Sequence, residues 1–352
     1  MGAVAEDRGA PRRTAGLLLE WYRRSRRDLP WRRRPTPYRV WVSEVMLQQT
    51  TVRAVVPYYV RFLRLFPTLR ALAGARPAAV LAAWSGLGYY RRARNLHRAA
   101  RTIVREHAGR FPRRLETALT LPGVGRYTAG AILSIAFGEP LPVVDGNVAR
   151  VLSRLYLLEG PPGAARDRRT WSLAADLTAA SGAPGDLNQA LMELGATVCV
   201  PRDPGCPVCP LRRRCRARAV GAQRRVPAPP PKSRPPVTVR ADLAVVTRRG
   251  RLLLRRRQDP ALMHGLWELP MLTPGGASDG LRIELGAPIA TLRHSITYRR
   301  LRLRVRPARL LSEPRHGSYR WFRRSDLHRL GTSSIVAKAL AALDAAARDG
   351  RV

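Results

Sequence analysis

The chain has 352 residues, enough for roughly two domains at ~100–200 residues each. Its 45% hydrophobic and 25% charged content is that of an ordinary globular protein, but 64 basic residues against 24 acidic give a net charge of +40, and only Lys232 and Lys338 are lysine. Such an excess attracts polyanions, nucleic acid first and an anionic membrane surface second. Recurring Leu, Ile, Val and Phe argue against disorder, no uncharged apolar run reaches the roughly 18 residues of a membrane span, and the opening residues lack the apolar centre of a signal peptide.

The first part reads as helical. Apolar residues recur at three-to-four spacing over 17–22, 40–47, 55–66, 78–83 and 171–179, with stops at Pro67, Gly74, Pro112 and Gly160-Pro161-Pro162-Gly163. Within 41–50, Glu44 is the one acid among largely apolar residues. On a buried face its carboxyl has a raised pKa and serves as a general acid; on an outer face it is a surface charge. Leu121-Pro122-Gly123-Val124-Gly125 separates expected helices over 115–120 and 127–136. Gly123 and Gly125 permit a tight hairpin that leaves backbone N–H groups bare, which is either a DNA-phosphate site or a plain corner. In Val143-Val144-Asp145-Gly146-Asn147-Val148, Asp145 either caps a helix starting near Asn147 or places a carboxylate at a cleft mouth. With Glu44 it would form a two-carboxylate pair of the glycosidase kind.

Cys199, Cys206, Cys209 and Cys215 fall within 17 residues, spaced C-x6-C-x2-C-x5-C. This clustering reads as a metal site in a reducing, intracellular compartment. Zinc and a [4Fe–4S] cluster both remain open on spacing alone. Arg202, Arg212, Arg213 and Arg214 make the loop a candidate phosphate platform.

Closely spaced prolines over 226–237 read as an extended linker between residues 1–225 and 238–352, and both parts are basic. Beyond it the period changes, predicting strands over 241–247, 251–254 and 301–306 and a closing helix over 334–346. The expected architecture is an all-α domain, a proline linker and a small α+β domain.

Four of these motifs occur in one order: 41–50, Leu121–Ile132, 143–150 and the cysteine loop. Together they resemble the helix-hairpin-helix DNA glycosylase superfamily and, within it, the MutY-type adenine DNA glycosylases. Asp28-Leu29-Pro30-Trp31, the stretch 86–96 opening Gly86-Leu87-Gly88-Tyr89-Tyr90, and Gly265-Leu266-Trp267-Glu268-Leu269-Pro270 match as well, so the resemblance runs from about residue 15 to 345. It implies a multidomain chain: an all-α helix-hairpin-helix glycosylase domain with a [4Fe–4S] loop at 199–215, plus an α+β Nudix-like C-terminal domain that recognises 8-oxoguanine. The implied partner is double-stranded DNA carrying A:8-oxoguanine or A:G mispairs. The implied protein is a bacterial-type cytoplasmic monomer at the nucleoid, without membrane attachment.

Carried over by resemblance, Glu44 protonates adenine at N7 and Asp145 stabilises an oxocarbenium-like sugar, while Tyr127 and Asn147 orient the two carboxylates. Arg27, Trp31, Leu47 and Gln189 line the pocket for an extruded adenine. Gln49 and Tyr89 wedge into the stack, Gly123 and Gly125 hold phosphate, and the four cysteines hold the cluster. Ile296-Thr297-Tyr298 stands where many members carry a Phe-Ser-His triplet that reads 8-oxoguanine. Together with Ser295 it is the candidate reader, and Tyr298 in place of histidine changes the third contact.

Endonuclease III-type relatives use a hairpin lysine as a Schiff-base nucleophile. Here that position is Tyr127, and residues 1–225 contain no lysine, so lysine-based strand cleavage by this domain is excluded. A Nudix hydrolase needs a glutamate-rich helix for Mg²⁺, whereas the corresponding stretch has Glu284 without a cluster of acids. The reading is therefore a monofunctional adenine glycosylase. The alternatives are a mismatch thymine or uracil glycosylase of the same superfamily and a non-catalytic DNA-binding protein.

Overall fold

The computed structural model describes residues 10–229, 235–259, 263–272, 281–296, 298–314 and 318–350. The helices are α1 (Ala10–Ser25), α2 (Pro30–Arg33), α3 (Pro37–Leu47), α4 (Val52–Leu65), α5 (Leu69–Gly74), α6 (Pro77–Trp84), α7 (Arg91–Glu106), α8 (Leu115–Leu119), α9 (Arg126–Phe137), α10 (Gly146–Tyr156), α11 (Ala164–Ala179), α12 (Pro184–Thr197), α13 (Arg216–Ala219) and α14 (Ser334–Arg348). The strands are β1 (Val237–Arg248), β2 (Arg251–Arg256), β3 (Trp267–Glu268), β4 (Met271–Leu272), β5 (Ile283–Leu285), β6 (Ala290–Ile296), β7 (Arg299–Leu310) and β8 (Tyr319–Arg323). Among the described residues no helix is long and apolar enough to cross a membrane. Two compact units form: one takes residues 10–60, 68–70 and 99–229, the other 61–67, 71–98 and 235–350.

The first unit is helical. Its core joins Leu18 and Tyr22 of α1, Val148, Val151 and Leu152 of α10, Leu177 of α11 and Leu187, Leu191 and Leu194 of α12. Local chemistry sets the helix ends that matter for function. Pro37 occupies the first turn of α3, where its missing N–H costs nothing, and Thr36 caps the helix by accepting from Arg39 N at 3.4 Å. Past the end of α3, Gln49 adopts a left-handed φ of 55° that turns the chain out of the helix. Helix α10 is capped by Asp145, which accepts from Val148 N at 2.7 Å.

The second unit carries a mixed sheet ordered β3-β2-β1-β7-β5, with β4 pairing β1, β6 pairing β7 and β8 pairing β2. Strands β1 and β7 run parallel from Val237↔Arg299 to Val246↔Ala308. The alternation expected of 301–306 is real: Leu301, Leu303 and Val305 are buried in a core with Ile335, Val336 and Leu340 of α14, while Arg300, Arg302 and Arg304 face outward. On the outer face Arg293, Arg302 and Arg240 stand in one cross-strand row, an arrangement of like charges that destabilises a sheet unless an anion screens it. Glu284, the acid singled out for this domain, lies on strand β5 and pairs with Arg309 at 2.7 Å.

Residues 71–98 join the sheet unit through side-chain donors to its main-chain oxygens. The Ser85 hydroxyl donates to Thr332 O at 2.6 Å and the Tyr90 hydroxyl to the same oxygen at 2.9 Å; Arg94 donates to His264 O at 2.8 Å. Leu81 of α6 lies so close to Gly331 that a Cβ there would meet Leu81 Cβ at 2.8 Å.

Candidate active site

A cleft of about 750 Å³ opens in the helical unit. Helix α3 contributes Glu44 and Leu47, the turn after it Gln48 and Gln49, helix α9 Tyr127, the α10 cap Asp145 and Asn147, and helix α12 Gln189, Met192 and Glu193. Arg27 and Trp31 complete the wall from the segment around α2. Nine of the expected residues thus share one cavity: Arg27, Trp31, Glu44, Leu47, Gln49, Tyr127, Asp145, Asn147 and Gln189.

Glu44 is only 5% exposed, so the buried alternative holds. Burial pushes its carboxyl up to about 7, and the charge of Asp145 adds to the rise. The Tyr127 hydroxyl works the other way, donating to Glu44 Oε2 at 2.6 Å. Burial and the neighbouring Glu44 in turn hold the Tyr127 phenol well above its ordinary value, so it stays a donor. A carboxyl poised near neutrality can deliver a proton to a leaving group at physiological pH.

Both oxygens of Asp145 are engaged. Oδ1 accepts from Val148 N, and Oδ2 accepts from Asn147 Nδ2 at 2.9 Å. The capping role and the cleft-facing role therefore coexist in one side chain. Asn147 is itself fixed: its Oδ1 accepts from Arg150 Nη2 at 2.9 Å, and the same nitrogen donates to Gly195 O at 2.8 Å. Arg150 Nε reaches Cys199 O at 2.8 Å, so one guanidinium ties the carboxylate's support to the first cysteine. Helices α10 and α12 cross closely here; a Cβ on Gly195 would lie 2.6 Å from Asn147 Cβ.

The cleft wall also holds a buried ion cluster that the sequence reading did not include. Glu193 accepts from Arg27 N at 3.0 Å, Arg27 Nε at 2.7 Å, Arg27 Nη2 at 2.8 Å and Arg32 Nη2 at 2.9 Å. Burial alone would raise the Glu193 carboxyl, but these donors bring it down to about 2. Trp31 is fixed edge-on against Tyr59, with ring centroids 5.4 Å apart.

In the hairpin between α8 and α9, Gly123 adopts φ 78°, a conformation that favours glycine. Gly125 is different. It caps α9 with no side-chain hydrogen bond, has an ordinary φ of −96°, and a Cβ there would meet nothing within 4 Å. Packing does not demand glycine at 125; an open backbone edge at the start of a helix suits a phosphate.

The expected wedge residue Tyr89 and the expected lesion reader fall in the other unit. Tyr89, 47% exposed with a left-handed φ of 47°, lines a separate cavity of about 680 Å³ together with Ser295 and Ile296. Ile296 packs against the α14 core, whereas Tyr298, 44% exposed, projects from the β6–β7 hairpin, with Arg299 over its ring at 5.6 Å. Thr297 lies outside the described residues.

Cys199, Cys206, Cys209 and Cys215 all line one small cavity of about 30 Å³. Among the described residues no group of three or more His, Cys, Asp or Glu is drawn to metal-ligand spacing. Burial pushes the Cys209 thiol up to about 11, and Cys199, Cys215 and Cys206 add to the rise. Four soft sulfur donors that disfavour one another's thiolates suit a bound cation or cluster. Arg154 braces the loop, donating to Cys199 Sγ at 3.4 Å, Val200 O at 2.7 Å and Pro201 O at 2.7 Å.

Comparison with known proteins follows this division of the chain. Residues 42–175 match the HhH-GPD superfamily of base excision DNA repair proteins, and residues 242–342 match the NUDIX domain. Human adenine DNA glycosylase is 52% identical over 213 residues, covering 58% of this chain and 39% of that protein. The adenine DNA glycosylase of Mycolicibacterium smegmatis is 45% identical over 205 residues, covering 58% of this chain and 69% of that protein. The chain belongs to the adenine DNA glycosylase family. It spans about two fifths of the length of the human, rat and mouse adenine DNA glycosylases it matches. A solved thermostable thymine-DNA glycosylase superposes with a TM-score of 0.54 at 28% identity, over 60% of this chain and 98% of that one.

As a member of the adenine DNA glycosylase family, the chain has three supporting residues that sequence reasoning missed: Glu193, Arg32 and Arg150. Glu193 lies four residues past Gln189 on α12, one turn along the same face, which was the available signal. Arg150 gave none: Asn147 is only three residues back on α10, but the contacts that tie Arg150 elsewhere are the main-chain oxygens of Gly195 and Cys199, which carry no sequence signature.

Proposed function

We propose that the chain is a monofunctional DNA glycosylase that removes adenine mispaired with 8-oxoguanine or guanine, as the first step of base excision repair. The observation that carries this reading is the buried Glu44, held near pH 7 and hydrogen-bonded to Tyr127 in the same cleft as Asp145. An adenine turned out of the duplex enters between Trp31, Leu47 and Gln189. Glu44 gives its proton to the base at N7, the C1′–N9 bond breaks, and its electron pair leaves with the adenine. Asp145, aimed by Asn147 and Val148 N, offsets the positive charge left on the sugar. Water then adds its oxygen to C1′ and releases a proton, leaving an abasic site.

Strand cleavage by lysine chemistry does not follow, because Tyr127 stands at the hairpin position and residues 1–225 contain no lysine. Double-stranded DNA is the partner that fits the +40 charge, the bare α9 terminus and the outward arginines. The β6–β7 hairpin around Ser295, Ile296, Thr297 and Tyr298 reads the base opposite the adenine. Cys199, Cys206, Cys209 and Cys215 would hold a [4Fe–4S] cluster, which supplies a rigid core for the arginine-rich loop. The chain acts as a monomer in the cytoplasm, at the nucleoid.

Glu44→Gln tests the proposal. Adenine release from an A:8-oxoguanine duplex falls by at least about 10²-fold, the range of lost general acid catalysis, while duplex affinity stays within about twofold. Undiminished excision would remove Glu44 from the reaction.

A further inference from the structure

Arg92, the second residue of α7, takes no part in the reaction above and stays out of the cavity that Tyr89 lines. Its guanidinium touches two aromatic rings. The guanidinium carbon lies 5.6 Å from the ring centre of Trp84 and 5.3 Å from that of Tyr89. Trp84 is fully buried at the end of α6, whereas Tyr89 is 47% exposed, so the cation links a fixed ring to a projecting one. Burial brings the guanidinium down to about 10, and it keeps its charge at neutral pH.

The same guanidinium grips the turn that carries Tyr89. Its Nη2 donates to Leu87 O and to Gly88 O, each at 3.3 Å, and Trp84 Nε1 donates to Gly88 O at 3.2 Å. The Arg92 backbone N donates to Tyr89 O at 2.8 Å. These bonds close a turn of uncommon shape: Gly86, Gly88 and Tyr89 have left-handed φ angles of 104°, 71° and 47°. Glycine adopts such angles freely; tyrosine adopts them only where its surroundings hold it there. An exposed tyrosine ring without a contact samples several rotamers, and ordering it on binding costs affinity.

We infer that Arg92 is a positioning residue that holds the Tyr89 ring, before DNA arrives, in the orientation from which it enters the base stack. Arg92 acts through Tyr89 and through the turn beneath it. The inference rests on the reading of Tyr89 as the wedge.

The test is a double-mutant cycle on the full chain with Arg92→Met, Tyr89→Ala and the two combined. The probe is a duplex with 8-oxoguanine opposite 2′-fluoro-adenosine, whose glycosidic bond survives because the fluorine disfavours the sugar cation. A 2-aminopurine beside the mispair reports unstacking by its fluorescence, and titration reports affinity. Arg92→Met should weaken the wild-type complex about fivefold, the worth of one cation–aromatic contact, and reduce the unstacking signal. In the Tyr89→Ala chain the same substitution should change neither readout. Melting temperature is the control: the bonds to Leu87 O and Gly88 O are lost in both backgrounds, so any drop should be the same in both. Should Arg92→Met fail to fold, Arg92→Lys, which keeps the charge and loses the planar fork, carries the same cycle. Equal penalties in both backgrounds, or no penalty in the wild-type chain, overturn the inference. Adenine release by the wild type from the unmodified duplex is measured alongside. Its absence contradicts the proposed function, whereas equal penalties beside normal release contradict this inference alone.

Discussion

The Tyr127 hydroxyl donates to Glu44 Oε2 at 2.6 Å, and this one bond opposes the burial around it. Burial favours the protonated carboxyl, whereas the phenol favours the carboxylate. The balance leaves Glu44 at about 7, so the acid form is lost as pH rises through neutrality. Tyr127→Phe removes the lowering influence. The alkaline limb of single-turnover adenine release then moves to higher pH by roughly one unit, the worth of one such hydrogen bond. A limb that stays in place or moves down contradicts Glu44 as the acid.

Glu193 carries the opposite linkage. Its folded carboxyl is held at about 2, below the ordinary value of 4.5, so it stabilises the fold above pH 4.5 and loses that contribution as pH falls toward 2. Glu193→Gln strands Arg27 and Arg32 beside a neutral amide and costs on the order of 3 kcal/mol at pH 7. Thermal melts from pH 2 to 7 should show a wild-type advantage that shrinks toward the acid end. A constant difference across that range contradicts the ion cluster as its source.

Two glycines should separate packing from recognition. Gly195→Ala places a Cβ 2.6 Å from Asn147 Cβ and 3.0 Å from its carbonyl carbon, so α10 and α12 must part. It should lower the melting temperature and slow excision together. Gly125→Ala meets no neighbour and no forbidden φ, so stability holds while the new methyl stands where a phosphate approaches the α9 start. Duplex affinity should fall several-fold at unchanged melting temperature, read by calorimetric melts beside a binding titration. Unchanged affinity would make the hairpin a plain corner.

Periodic helices such as α4 and α11 were legible because each lays an apolar stripe on a core. Helix α12 was not: it begins Pro184-Gly185 and buries Asn188 and Glu193 along with its leucines, so no polar face marks its period. The sheet's alternation at Leu301, Leu303 and Val305 was readable, but the parallel pairing of β1 with β7 was not, since a register between segments about 60 residues apart leaves no local trace. The two carboxylates and the four cysteines stood out by chemistry and spacing. What holds them did not, because Arg150 and Arg154 act upon main-chain oxygens, which carry no sequence signature.

The proposed reaction releases adenine without strand cleavage. Single-turnover reactions on A:8-oxoguanine, A:G, T:G and U:G duplexes, each split into samples with and without alkali, test it most directly. Adenine should leave A:8-oxoguanine or A:G faster than thymine or uracil leaves its mispair, with strands broken only in the alkali-treated samples. Faster release of thymine or uracil, or efficient cleavage without alkali, would contradict the account.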